Sequence, residues 1–239
     1  AAGRKLQWKA SAPELQLEVM DGGEERLLVW SGDNHTGLAA EANVPDWYID
    51  HPWVQVSDCA DWQTVAAGFA AVWQGHPEDS EVTEIINKVR SEEPELLARV
   101  ERVIRLIQDE FRYLSVDLET GGHVPAAPGL VARRRYGDCK DLSFLLVHLL
   151  RGLGISARPV LVNTRLRKAI ADKLPMPGLF DHVVVEVQLP GGVRWVDPTL
   201  RNQGGNTLDR VIPDYNIGLP VDPEATALMD APAVSGKSA

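Results

Sequence analysis

Long apolar runs are missing from these 239 residues. A membrane-crossing helix needs roughly 20 consecutive apolar residues and no stretch approaches that, so membrane insertion by this chain is not expected. Cysteine is scarce as well. Cys59 and Cys139 stand far apart in a chain long enough to bury roughly 70% of its extended surface, so neither disulfides nor a structural metal is needed to hold it together. Basic residues are outnumbered. The 24 Lys and Arg face 34 Asp and Glu, a formal charge of -10 that disfavours nonspecific contact with nucleic acid or anionic membrane. Arg133, Arg134 and Arg135 are the only three adjacent arginines; such a run is more often a solvated edge than a binding surface, although its place just before Cys139 keeps a site role open. There is no CxxC, HxxH or HExxH spacing, no Gly-rich phosphate loop and no EF-hand loop, so no metal, calcium or other cofactor is expected. The opening AAGRKLQWKA lacks a signal-peptide core and an initiator Met, which suggests a mature or excised product.

What is present is organised by period. Leu6 and Trp8, then Leu15, Leu17 and Val19, then Leu27 to Trp30 and Trp53 to Val56 alternate with polar residues between Gly and Pro breaks, so residues 1–57 read as short antiparallel strands. From Asp61 the spacing turns helical. Trp62, Val65, Ala66, Phe69 and Val72 form one apolar stripe, Val82 to Val89 a second beyond Pro77, and Leu96 to Ile107 a third after Pro94. Residues 114–137 carry Gly121, Gly122, Pro125, Pro128 and Gly129 with no sustained period, and a loop of that length is more often functional than not. A leucine-rich helix is expected from Cys139 to Arg151, stopped by Gly152 and Gly154, and expected to pack on strands containing Val160, Val184 and Trp195. Strands follow at 157–163, 183–189 and 193–196. Helices first and an antiparallel meander after give an α+β class. The expected organisation is a β-rich segment at 1–57, a domain at 58–219 and a tail at 220–239.

The chemistry gathers at Gly137-Asp138-Cys139-Lys140-Asp141. Asp138 can cap the helix and Asp141 can return the bond, a capping box that would put Cys139 on the first helical residue. A thiol attacks as thiolate, and the free amides of a helix N-terminus stabilise that anion. Asp138 and Asp141 oppose it, so a histidine cation is needed nearby. The alternative is inert packing, the usual fate of a cysteine in an apolar helix. Among six histidines, His148 lies nine residues along the same helix, about 13 Å away, too far to take the proton. His35, His51 and His76 stand beside N-terminal turns or prolines and read as solvated, while His123 lies in the long loop. His182 opens a strand in Phe180-Asp181-His182-Val183, and Asp197 ends the next in Trp195-Val196-Asp197-Pro198-Thr199. Cys, His and Asp in that order can act as nucleophile, base and orienting carboxylate. Asp before Pro is also a routine strand terminator.

At these residues the chain resembles the bacterial transglutaminase-like superfamily, in particular its branch preceded by a β-rich domain. The resemblance rests on FRYLSVDLETGG from Phe111, ARRRYGDCKDLSFLLVHLLRGLGISARPVLVNT from Ala132, FDHVVVEV from Phe180 and RWVDPT from Arg194, and spans about residues 90–200. It implies an α+β, papain-like core with Cys139 as nucleophile, His182 as base and then acid, and Asp197 orienting the ring. It also implies that Tyr113 lies near the cleft and bounds it or supports the oxyanion, and it places His123 where members often have Tyr. Residues 1–57 resemble the closing part of the family's N-terminal β-domain, which implies an envelope-associated, extracytoplasmic origin. The expected activity is acyl transfer from an amide of a peptide or protein substrate to water or to an amine, as a peptidase, amidase or transglutaminase. The rival is a noncatalytic peptide-binding module using 114–137 as its groove.

One geometric expectation is sharp. If Gly191 and Gly192 formed a two-residue turn, Asp197 would face Glu186 and His182 would stand four residues away, about 13 Å. A working triad requires another register. The expected one sets His182 directly opposite Asp197, with the carboxylate within about 3.2 Å of the distal ring nitrogen.

Overall fold

The structure, a computed structural model, describes residues 5–11, 15–22, 26–32, 43–49, 51–74, 79–114, 122–205 and 210–233. His35, His76, Pro77 and Gly121 lie outside the described residues. The period-two segments form β1 (Gln7–Ala10), β2 (Gln16–Asp21), β3 (Arg26–Ser31) and β4 (Val54–Ser57), with β2 paired antiparallel to β3 and β1 to β4. The helical stripes form α1 (Trp62–Val72), α2 (Ser80–Glu92) and α3 (Leu96–Glu110). Asp61 and Asp79 cap the first two, each accepting a backbone N–H of the first turn.

The segment read as an unbroken loop contains more structure than its composition suggests. After β5 (Arg112–Tyr113) comes α4 (Pro128–Arg134), then β6 (Tyr136–Gly137), which pairs parallel to β5 and draws the loop's two ends together. Pro128 at the first turn of α4 needs no N–H partner, and Val131 and Ala132 are fully buried, so packing overrides the loop-like run of Pro, Gly and Arg.

α5 (Cys139–Gly152) is the central helix. Leu142, Leu145, Leu146, Leu149 and Leu150 are almost completely buried among residues of α2, α3 and α4 and one face of the sheet. That sheet comprises β7 (Ala157–Val162), β8 (His182–Leu189), β9 (Gly192–Val196), β10 (Ile217–Pro220) and β11 (Met229–Asp230) in the order β11-β10-β7-β8-β9, with antiparallel neighbours throughout. The face that α5 covers presents Ala157, Val185, Val187 and Val196. α5 thus packs on the strands that contain Val160, Val184 and Trp195, as expected, but these three side chains cluster with Val162 and Tyr215 on the reverse face. Successive strand residues point to opposite faces, and the sequence alone did not say which set faces α5. The sheet also takes in residues 220 and 229–230, inside the stretch read as a tail; residues 234–239 lie outside the described set. The molecule is an α+β assembly of helices on an antiparallel sheet. Among the described residues no helix is long and apolar enough to cross a membrane.

The β8–β9 connection departs from both registers considered. Leu189 faces Gly192 and Val185 faces Val196, so the two turn residues are Pro190 and Gly191. Proline suits the first central position of such a turn, and Gly192, at φ 107°, takes the conformation that a side chain would resist. Continued one step, this register puts Asp197 beside Val184, two residues from His182 and on the same face. Such diagonal neighbours are about 7–8 Å apart at the backbone, within reach of an aromatic ring and a carboxylate.

Candidate active site

The sequence Gly137-Asp138-Cys139 builds the entry to α5. Asp138 accepts the Asp141 N–H at 3.2 Å, and Asp141 Oδ2 accepts the Asp138 N–H at 3.4 Å, so the capping box forms and Cys139 is the first helical residue. Gly137 has no room for a side chain: a Cβ there would lie 2.7 Å from the Cβ of Asp141. Asp141, nearly buried, does more than cap. Its carboxylate also accepts the Ala126 N–H at 2.8 Å and Arg134 Nη2 at 2.5 Å, tying the loop and α4 to the start of α5.

Each of the three adjacent arginines pairs with a different acid. Arg133 pairs with Asp79, Arg134 with Asp141 and Arg135 with Glu110. They fasten elements around the Cys139 turn. Lys140, which lines the cleft, pairs with Asp138; burial works against its charge, but the bond to Asp138 prevails and its pKa is raised.

Across from the helix end, His182 begins β8. Its Nε2 lies 2.8 Å from Asp197 Oδ2, and its ring shares the lining of one cleft with Cys139. Burial opposes a charged ring, yet the bond to Asp197 and the influence of Cys139 outweigh it and raise the pKa from 6.5 to about 10. Asp197 is 1% exposed. Burial there favours the neutral acid, but bonds from His182 and Thr199 overcome it and lower the pKa. Thr199 supplies two donors to Oδ1, its N–H at 2.9 Å and its hydroxyl at 2.7 Å.

Two partners of Asp197 escaped the sequence reading. Tyr215, buried just before β10, donates its hydroxyl to Asp197 Oδ2 at 2.8 Å. Gln108, buried on α3, donates to the Asp197 carbonyl at 2.9 Å and to Gln203 Oε1 at 2.8 Å. The available signal was a tyrosine set beside a strand in a PDYN turn, since a buried phenol needs a partner.

Cys139 and His182 open on a cleft of about 340 Å³ whose wall includes Tyr113, His123, Phe69, Trp73 and Phe180. The two further residues expected there are thus on its lining. His123 is held by its carbonyl, which accepts Trp73 Nε1 at 2.8 Å, and its ring meets Phe69 edge-on at 5.0 Å between centroids. Cys59 sits between β4 and α1, outside this lining, and is not joined to Cys139 by a disulfide. His148 turns to its own helix, with Nδ1 2.9 Å from the Phe144 carbonyl.

Residues 83–198 match the transglutaminase-like superfamily. No curated protein sequence matches the chain. Among solved structures, a candidate protease from Parabacteroides distasonis superposes with a TM-score of 0.73 at 12% identity, over 96% of this chain and 43% of that one. This chain therefore spans less than half of that protein, and the likeness at such identity is one of fold. A candidate cysteine protease from Cytophaga hutchinsonii (TM-score 0.38, 12% identity, 82% of this chain and 65% of that) is more distant. So is the periplasmic domain of TgpA from Pseudomonas aeruginosa (0.40, 16%, 80% and 62%).

Proposed function

From the match of residues 83–198 to the transglutaminase-like superfamily, we propose that this chain is a cysteine-dependent acyl-transfer enzyme acting on amides of peptides or proteins. Cys139 Sγ attacks the carbonyl carbon, and the N–H of Cys139, a first-turn amide of α5 with no intrahelical acceptor, receives the developing oxyanion. With Nε2 of His182 committed to Asp197, Nδ1 is the nitrogen left for the thiol. His182 holds the proton taken from Cys139 and gives it to the leaving amine as the C–N bond breaks, which leaves a thioester on Cys139. Water or a second amine, deprotonated by His182, then attacks the thioester and restores the thiol. Water makes the enzyme a peptidase or amidase, an amine makes it a transglutaminase, and both share the first half-reaction.

The observation that carries this reading is the 2.8 Å contact between His182 and Asp197, with the His182 ring and Cys139 on the lining of one cleft. A packing role for Cys139 calls for no such chain of partners. An extracytoplasmic location accompanies the reading through the resemblance of residues 1–57 alone, and cell fractionation tests it. The chemistry is tested by incubating the protein with a glutamine-containing peptide and following ammonia release with and without a primary amine. Release that depends on Cys139 supports the proposal, and equal behaviour of wild type and Cys139→Ala defeats it for that substrate class.

A further inference from the structure

The carboxylate of Asp197 is more fully engaged than the two-member contact with His182 requires. A carboxylate has about four lone-pair sites, and all four are used here: Thr199 N–H and Oγ1 on Oδ1, His182 Nε2 and Tyr215 OH on Oδ2. Three of these donors come from β8 and from the turn after β9. The fourth comes from a later part of the chain, on the approach to β10.

We propose that Tyr215 is a positioning residue of the site: its hydroxyl fills the second lone pair of Asp197 Oδ2 and fixes the carboxylate against His182. This inference rests on the catalytic reading of Cys139, His182 and Asp197. It makes the segment leading into β10 part of the working site.

The donor direction is settled by the surroundings. Asp197 is 1% exposed and Tyr215 5%, so bulk water does not compete for the contact. Burial first, and then the negative charge of Asp197, push the phenol's pKa upward, so the hydroxyl keeps its proton across the working range. Asp181 and Cys139 act on the phenol in the same sense, and the His182 ring stands 5.7 Å away between centroids. From the other side, Lys168, Arg194 and Arg210 line a separate depression that Tyr215 also borders. A hydroxyl already donating to Asp197 cannot serve the substrate as an acid. What it can do is lower the proton affinity of the carboxylate and hold Oδ2 turned to the ring.

A purely packing role is the competing account, because the Tyr215 ring belongs to the cluster with Val160, Val162, Val184 and Trp195. Tyr215→Phe keeps the ring and removes only the donor. The test is a ¹³C carboxyl titration of Asp197, run beside the pH profile of Cys139 alkylation by iodoacetamide with Cys59 as internal reference. Loss of one donor should raise the Asp197 midpoint by about one pH unit, and the acid-side loss of Cys139 alkylation should move up with it. Site-specific 3-fluorotyrosine at position 215, a stronger donor of almost the same shape, should lower the midpoint and supplies the test if the Phe variant folds poorly. An Asp197 midpoint that is unmoved in the variants overturns the assignment. A His182→Ala protein that alkylates at Cys139 like wild type overturns the triad itself, whereas His182-dependent alkylation with an unmoved Asp197 midpoint removes Tyr215 alone.

Discussion

At His182, burial and pairing pull in opposite directions, and the pairing wins. A ring whose pKa is raised to about 10 in the folded chain, against 6.5 for the ordinary side chain, stays protonated through neutrality. The linkage follows directly: the stabilisation is fully present below about pH 6.5 and is lost as pH rises toward the folded value. The ¹H-¹⁵N ring signals of His182 should therefore show no deprotonation between about pH 6 and 8. In Asp197→Asn the midpoint should fall, and urea stability should decline less between neutrality and about pH 10 than in wild type. An unchanged ring titration in that variant would mean the 2.8 Å contact has no energetic weight. Cys139, His182 and Asp197 were legible in the sequence because each stands at a marked local place: a helix cap, a strand start, a strand end before proline. Tyr215 and Gln108 were not, because what gives them a role is an Asp197 separated by 18 and 89 residues in sequence. No local pattern reports such a meeting.

At the scale of elements, the register of β8 against β9 shows how far local signals reach. A turn at Gly191 and Gly192 would have parted the pair and the expected register set His182 directly opposite Asp197, but the turn is Pro190 and Gly191, which brings Asp197 to the diagonal of His182. The side of the sheet was predictable from parity; the distance along it was not. The sheet face under α5 was likewise hidden, since both faces of β8 are rich in valine. The nucleophile's own turn was fully legible and is tightly built. Gly137→Ala would press a Cβ to 2.7 Å from Asp141 and disturb the cap that sets Cys139. The expected cost is about 1–3 kcal/mol in urea unfolding, with slower alkylation of Cys139. Leu146, completely buried in the middle of α5, should cost about 2–5 kcal/mol on replacement by Ala, through lost burial and the cavity left behind. A loss below about 1 kcal/mol would place the core elsewhere.

Over the whole molecule, polar contacts fasten the small β1–β4 sheet to residues 172–175. Gln55 Nε2 donates to the Leu174 carbonyl at 3.0 Å while its Oε1 accepts the Leu174 N–H at 2.8 Å, and Ser57 Oγ donates to the Pro175 carbonyl at 2.5 Å. Lys173 adds a cation over the Trp53 ring, 3.2 Å from its centroid. Such side-chain clamps on backbone are invisible to periodicity, which located the strands of residues 1–57 but not what they rest on. Gln55→Ala would leave both backbone groups of Leu174 without their partner in a half-buried seam, a cost of about 1–3 kcal/mol for each group left unsatisfied. Hydrogen exchange should accelerate across β4 and residues 172–176 and remain slow in α5. Uniform acceleration would mean the seam is part of the central cooperative unit.

The central claim is that Cys139 is an activated nucleophile served by His182, and relative thiol labelling tests it most directly. Wild-type protein, His182→Ala and Asp197→Asn are treated with limiting iodoacetamide at neutral pH, and modification at Cys139 and Cys59 is followed by peptide mass spectrometry. Faster labelling of Cys139 than of Cys59 is expected in wild type, with the difference abolished in His182→Ala and reduced in Asp197→Asn. Equal, slow labelling of the two cysteines in all three proteins would contradict the account and leave a binding module on the same fold.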